Sequence, residues 1–169
     1  MTAQDIIDFF GLEPLQEEGG FFKSSYRSPD VLPSTALPER YNGPRHLGSA
    51  IYYLLTPETC SRMHRLPTDE IFHFYLGDPV NLLVLYPDGT SEILTLGQDI
   101  QNGQILQALV PRGCWQGASL IPGGSYALMG TTMCPGFDYD DYEAGDRKML
   151  SQRYPERKPM IEKLTETPA

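Results

Sequence analysis

Cysteine is scarce in this chain, and the three present, Cys60, Cys114 and Cys134, are odd in number, widely spaced and without a CxxC pair. That pattern favours free thiols in a reducing, cytoplasmic setting over a disulfide framework or a cysteine-built zinc cage. Long apolar runs are lacking too. Residues 50–55, among the longest, fall far short of the roughly 20 residues needed to cross a bilayer. No signal peptide is expected, because Asp5 and Asp8 interrupt Ile6, Ile7, Phe9 and Phe10. Basic residues are in deficit, Lys+Arg 13 against Asp+Glu 22 for a net charge of -9, and they are scattered instead of striped. Nucleic acid is therefore not an expected partner. There is no internal repeat and no low-complexity segment.

What is present reads as one domain of short strands. A chain of 169 residues is long enough for one core and short for two. The expected division is a single domain over 1–169, with a core at about 18–135, an N-terminal helix at about 3–10 and a C-terminal helical segment at about 138–165. Thr2 is placed to cap the first helix and Gly11 to stop it, with Ile6, Ile7 and Phe10 on one face. Gly19 and Gly20 open a strand over Phe21–Arg27, whose alternation puts Phe21, Lys23, Ser25 and Arg27 on one face. Lys23 and Arg27 are cations within reach of an anionic ligand.

Residues 28–48 carry Pro29, Pro33, Pro38 and Pro44 and form a long loop, with His46 near its end in a surface or anchoring role. Strand signals then follow at 49–56, 60–65, 70–77, 80–86, 91–96, 104–110, 114–120 and 125–133, punctuated by turns such as Pro87, Asp88 and Gly89. With no helix between strands, the pattern predicts an all-β sandwich or barrel. Residues 138–154 and 159–165 are helix-compatible, although Gly145 weakens the first.

The most informative stretch runs from Cys60 to Gly77 and holds two of the three histidines beside an acid. A turn centred on Pro67 predicts a β-hairpin in which His64 lies opposite Glu70, about 5 Å apart at Cβ. Parity then puts Cys60, Arg62, His64, Glu70, Phe72 and Phe74 on one face, and pairs Arg65 with Asp69 across the other. His73 falls on that second face, as a packing or interface residue. A buried histidine–glutamate pair suits proton transfer near neutral pH, and can also ligate a divalent ion if a third ligand converges. A purely structural hydrogen-bonded pair satisfies the same spacing. Further on, Pro111 and Gly113 deliver Trp115, the single tryptophan, and Gln116 to the start of a strand. A ring and an amide there can stack on a ligand and hydrogen-bond it, or simply pack.

His64, then three residues after Leu66, Glu70, then six residues and Gly77, followed by Pro111, Gly113 and Gln116, resemble the two motifs of the cupin pattern. In that pattern His-x-His, Glu and Gly make the first motif and Pro-x-Gly-x-x-His the second. Leu66 and Gln116 stand where two histidines are usual. Further matches at 18–27, 49–55, 69–79 and 135–142 make the chain similar to the Cupin_5 (DUF985) family of RmlC-like cupins. The resemblance implies an all-β antiparallel double-stranded β-helix, a jelly roll with short terminal helices. It also implies a small-molecule pocket in the barrel and a homodimer.

By the same resemblance, the expected ligand is a sugar phosphate, nucleotide sugar or nucleotide, and the leading activity a metal-independent sugar epimerase or isomerase. His64 would act as base with Glu70 polarising it and Tyr52 as acid, while Lys23, Tyr26, Phe72, Trp115 and Gln116 would bind the substrate. The alternatives are a non-catalytic small-molecule-binding cupin and a metal-dependent phosphosugar isomerase. No cofactor is expected. A divalent metal, if bound, would sit at His64, Glu70 and Gln116, a poor set beside the three histidines and glutamate of metal-dependent cupins.

Overall fold

The computed structural model describes residues 1–165; residues 166–169, which the single-domain expectation includes, lie outside the described residues. In chain order the elements are α1 (Ala3–Phe10), β1 (Glu13–Pro14), β2 (Phe21–Arg27), β3 (Val31–Leu32), β4 (Arg45–His46), β5 (Ser49–Leu55), β6 (Ser61–Arg65) and β7 (Glu70–Gly77). They continue as β8 (Val80–Leu85), β9 (Ser91–Leu96), β10 (Gln107–Val110), β11 (Trp115–Leu120), β12 (Ala127–Met133), β13 (Glu143–Ala144), α2 (Arg147–Arg153) and α3 (Lys158–Leu164). Two sheets face one another, one in the order β1-β2-β5-β12-β7-β10 and the other β13-β6-β11-β8-β9. The jelly roll expected from the sequence is the observed architecture.

The core lies between the sheets, where Tyr53, Leu55, Phe72, Phe74, Leu82, Val84, Ala118 and Met129 interdigitate. Each sheet also has cover on its outer side. Leu150, Tyr154, Ile161 and Leu164 of the C-terminal segment bury Met63, Leu83, Leu85 and Trp115 behind the five-stranded sheet. Helix α1 lays Ile6, Ile7 and Phe10 over Leu54 and Leu128 of the other sheet. Strands β8 and β11 are thus covered on both faces, which is why their sequences read as nearly continuous apolar runs with little alternation. Helix α1 begins and ends as the sequence predicts. Thr2 and Asp5 exchange reciprocal hydrogen bonds in a capping box, and Gly11 closes the helix at φ 62.

Two local expectations are corrected. The 60–77 segment is not a hairpin: β6 pairs with β11 and β13, whereas β7 pairs with β12 and β10. Pro67 therefore lies in a crossing between the sheets, and His64 meets Glu70 across the barrel interior instead of along one sheet. Arg65 consequently never meets Asp69. It makes a bidentate ion pair with Glu143, and Asp69 accepts a hydrogen bond from the Arg112 backbone. Nor is 138–154 one helix, because Glu143 and Ala144 pair with β6 and the helix starts only where the Asp146 side chain caps Met149 at 2.7 Å.

The 28–48 segment, expected as a loop, carries an antiparallel pair in which Val31 stands opposite His46 and Leu32 opposite Arg45, and it is anchored at several points. His46 Nδ1 lies 2.6 Å from the Ser28 carbonyl, Tyr41 shares a 2.8 Å hydrogen bond with Thr68, and Arg40 donates to the Pro67 carbonyl. The loop thereby clamps the crossing that separates His64 from Glu70. No disulfide joins Cys60, Cys114 and Cys134. No helix of the described residues is long and apolar enough to cross a membrane.

Candidate functional site

Strand β6 points His64 into the barrel and β11 points Gln116 beside it, as the two are register partners. From the facing sheet, β7 supplies Glu70. The three are 1%, 2% and 6% exposed respectively, so each must find its hydrogen bonds inside the protein. They do so through the amide: Gln116 Nε2 donates to Glu70 Oε2 at 2.6 Å and lies 3.2 Å from His64 Nε2. His64 Nδ1 sits 2.7 Å from the Arg62 carbonyl, which can only accept a hydrogen bond, so Nδ1 carries the hydrogen. In the neutral ring this leaves Nε2 as the acceptor, so the two amide hydrogens serve Glu70 and His64 together. Gln116 Oε1 is buried and has no partner among the described residues.

Only Glu70 of these three lines the cavity. The space measures about 150 Å³ and is bounded by Leu15, Phe22, Ile51, Leu66, Met133 and Phe137, with Ser24, Arg27, Ser49, Thr131, Glu17, Glu18, Tyr139 and Tyr142 adding polar groups. A wider mouth continues from it past Gln16, Glu17 and Tyr142. His64 is screened by the Tyr142 ring, stacked on it at 5.2 Å and 20°, and the Tyr142 hydroxyl donates to the Glu17 carbonyl at 3.2 Å. Glu18 reaches the rim because Gly19 and Gly20 turn the chain at φ 95 and 71. A Cβ at Gly19 would collide with the Cys60 carbonyl. Ser61 then donates to Glu18 Oε1 at 2.7 Å.

Burial is the largest influence on Glu70 and raises its pKa, with Glu18 adding to the rise and His64, Thr131 and Gln116 opposing it. A carboxyl whose folded pKa exceeds its unfolded one stabilises the fold below the unfolded value, and that contribution is lost as pH rises through the folded value. Wild-type stability should therefore fall relative to Glu70→Gln as pH is raised above about 4.5, the group's ordinary value. Urea unfolding of both proteins between pH 4 and 8 measures this. A difference that stayed flat, or rose, would mean that burial does not govern Glu70.

Several residues expected at the site stand elsewhere. Tyr52 is on the outer face of its sheet against Phe10 and Tyr75, since Tyr53 takes the inward position. Lys23 also faces outward, pairing in register with Tyr52, and Tyr26 is 54% exposed beside Ala50. Trp115 packs under the C-terminal helices with Arg65 over its ring. Phe72 is inside the barrel but wholly within the core. His73 lies on the outer face, hydrogen-bonded to Thr132 and Gln107. The sequence reading missed Thr131, Ser49, Glu18 and the aromatic run of Phe137, Tyr139 and Tyr142 as cavity residues. Glu18, Ser49, Phe137, Tyr139 and Tyr142 had only their membership in the motif segments as a sequence signal, and Thr131 had none.

The family model described as Cupin superfamily (DUF985) matches residues 4–145. The chain belongs to that family. Two solved structures superpose on this cupin with a TM-score of 0.86. Protein SO0799 from Shewanella oneidensis is 34% identical with 99% of both chains covered, and a hypothetical protein from Leishmania major is 28% identical with 99% and 100% covered. The uncharacterized protein YML079W of Saccharomyces cerevisiae is 29% identical over an alignment of 136 residues, with 74% of this chain and 66% of the yeast protein covered. The match thus spans just under two thirds of that relative.

Many cupins hold a metal ion, and the donor chemistry here does not fit one. Between His64 and Glu70 stands an amide nitrogen, a hydrogen-bond donor, and Leu66 places an apolar side chain on the cavity wall where the pattern calls for a third ligand. Among the described residues no group of three or more His, Cys, Asp or Glu side chains is placed to hold a metal ion.

Proposed function

We propose that this cupin binds a small carbohydrate- or nucleotide-like molecule in its barrel and moves a proton on it through Glu70, without a metal ion. One observation carries the reading: of the three carboxyls that line the cavity, Glu70 is the buried one, its pKa is raised by that burial, and a fixed amide holds one of its oxygens. A carboxyl shifted upward holds a proton more readily than an ordinary one, so it is suited both to take a proton from a bound molecule and to return it. Epimerisation beside a carbonyl requires that pair of steps, together with a donor for the enolate oxygen. Gln116 orients Glu70, and His64 orients Gln116, so the histidine is a positioning residue. Burial pushes the Tyr142 phenol pKa upward, which keeps its hydroxyl protonated and its hydrogen bond to the Glu17 carbonyl in place at the rim. The rings of Phe22, Phe137, Tyr139 and Tyr142 offer stacking faces for a sugar or base, and Ser24, Ser49 and Thr131 offer hydroxyls.

A second reading, ligand capture without turnover, is supported by the screening of His64 behind Tyr142, which leaves one titratable group deep in the cavity. A thermal-shift screen of sugars, sugar phosphates, nucleotides and nucleotide sugars tests binding, and incorporation of solvent deuterium into any stabilising ligand tests proton transfer. Exchange that is lost in Glu70→Gln is the expected outcome. Binding with no exchange at any pH would leave capture as the function, and a screen in which nothing stabilises the protein would defeat both readings.

A further inference from the structure

One row of register partners crosses the six-stranded sheet at the cavity: Arg27 opposite Ser49, Ser49 opposite Met133, and Met133 opposite Glu70. All four line the cavity. Four adjacent strands at about 4.8 Å spacing put the Arg27 and Glu70 backbones roughly 14 Å apart, with a hydroxyl and an apolar side chain between them. Arg27 is there because β2 carries a bulge between Ser24 and Tyr26. Without the extra residue, Tyr26 would stand opposite Ser49; with it, Tyr26 turns outward and Arg27 turns in.

Arg27 is the only cation among the cavity-lining residues, and no hydrogen bond or ion pair engages its guanidinium among the described residues. The acids that share the cavity are placed away from it. Glu17 and Glu18 precede β2 while Arg27 ends it, and Glu18 is held by Ser61. Ser49 accepts a hydrogen bond from the Phe137 backbone, so its own hydroxyl hydrogen remains free to donate beside Arg27.

We infer that Arg27, with Ser49, forms an oxyanion subsite, and that the ligand is a sugar-like molecule carrying a phosphate or carboxylate at the end remote from Glu70. The inference rests on the carbohydrate-class reading above and names the substrate class for it. A guanidinium offers paired N–H donors that match either oxyanion. The row then sets a polarity on the ligand: anionic group at the rim over β2, reacting or hydrogen-bonding group at Glu70, carbon skeleton over Met133.

Matched pairs test this: glucose with glucose 6-phosphate, ribose with ribose 5-phosphate, and galactose with galacturonate, titrated calorimetrically into wild type, Arg27→Gln, Arg27→Lys and Glu70→Gln. The phosphate and carboxylate arms separate the two oxyanion sources. Wild type should favour the anionic member of at least one pair by about tenfold or more, less so in high salt. Arg27→Gln should erase that preference while leaving the neutral sugar's affinity unchanged, and Arg27→Lys should keep part of it. Glu70→Gln should weaken both members of the pair equally. Equal affinity within every pair, or a preference that survives Arg27→Gln, overturns the subsite and leaves the carbohydrate reading standing. If no member of any pair binds, both fall.

Discussion

Asp141→Ala should destabilise the protein by about 3–5 kcal/mol, because it strands a buried guanidinium. Arg45 donates from Nε and Nη2 to the two oxygens of Asp141 at 2.8 and 2.6 Å, and the two side chains are 3% and 4% exposed. The remaining Nη1 donates to the Pro44 carbonyl at 2.9 Å, and the guanidinium lies over the Tyr41 ring. With the carboxylate gone, the buried guanidinium loses the anion that hydrogen-bonds it, and Asp138 and Asp140 act on it only through longer-range attraction. Urea unfolding measures the loss, and Arg45→Met combined with Asp141→Leu should recover most of it, since removing both charges removes the desolvation cost as well. A loss under 1 kcal/mol in the single variant would show that water reaches the pair. The consequence extends to the cavity. Asp141 is adjacent to Tyr142, and the same segment supplies Phe137 and Tyr139 to the cavity wall, so the ion pair fixes one side of the site from the 28–48 loop.

Leu66→His together with Gln116→His should convert the cavity to a metal site holding about one divalent transition ion per chain. Leu66 already faces the cavity that Glu70 lines, and Gln116 already lies 3.2 Å from His64 Nε2 and 2.6 Å from Glu70 Oε2. The double variant would therefore present three imidazoles and one carboxylate, a donor set suited to iron, manganese or zinc. The amide donor that now occupies the centre would be gone. Placing two rings in a packed interior costs about 1–3 kcal/mol without metal, so the apo variant should melt below wild type and recover on adding the ion. Elemental analysis after dialysis against manganese or zinc reads the stoichiometry. Equal metal content in the variant and wild type would show that Leu66 and Gln116 are not what sets metal affinity here.

These two residues also show how far the chain is legible before folding. The spacing of His64, Glu70 and Gln116 singled them out although they come from three strands, and the structure brings all three together. The reason is that motif spacing in a jelly roll reports the strand lengths and turns that carry each residue to the same end of the barrel. Trp115 lies next to Gln116 in sequence, and the same logic placed it in the pocket. Strand alternation sends it to the opposite face, where α2 and α3 cover it.

The sequence by itself determined the long strands, the capped first helix and the histidine–glutamate–amide combination, because local turn residues, capping side chains and alternation act within a few residues of where they are read; the two-residue strands β1, β3, β4 and β13 carry no such local signal. Only the tertiary structure decided that β6 and β7 belong to different sheets, so that His64 and Glu70 approach from opposite walls. It also decided that a one-residue bulge turns Arg27 into the cavity in place of Tyr26, and that Tyr142 returns to cover His64. Each of these depends on which distant strand pairs with which, and a shift of one residue in that pairing exchanges the two faces of a strand while leaving its sequence pattern unchanged.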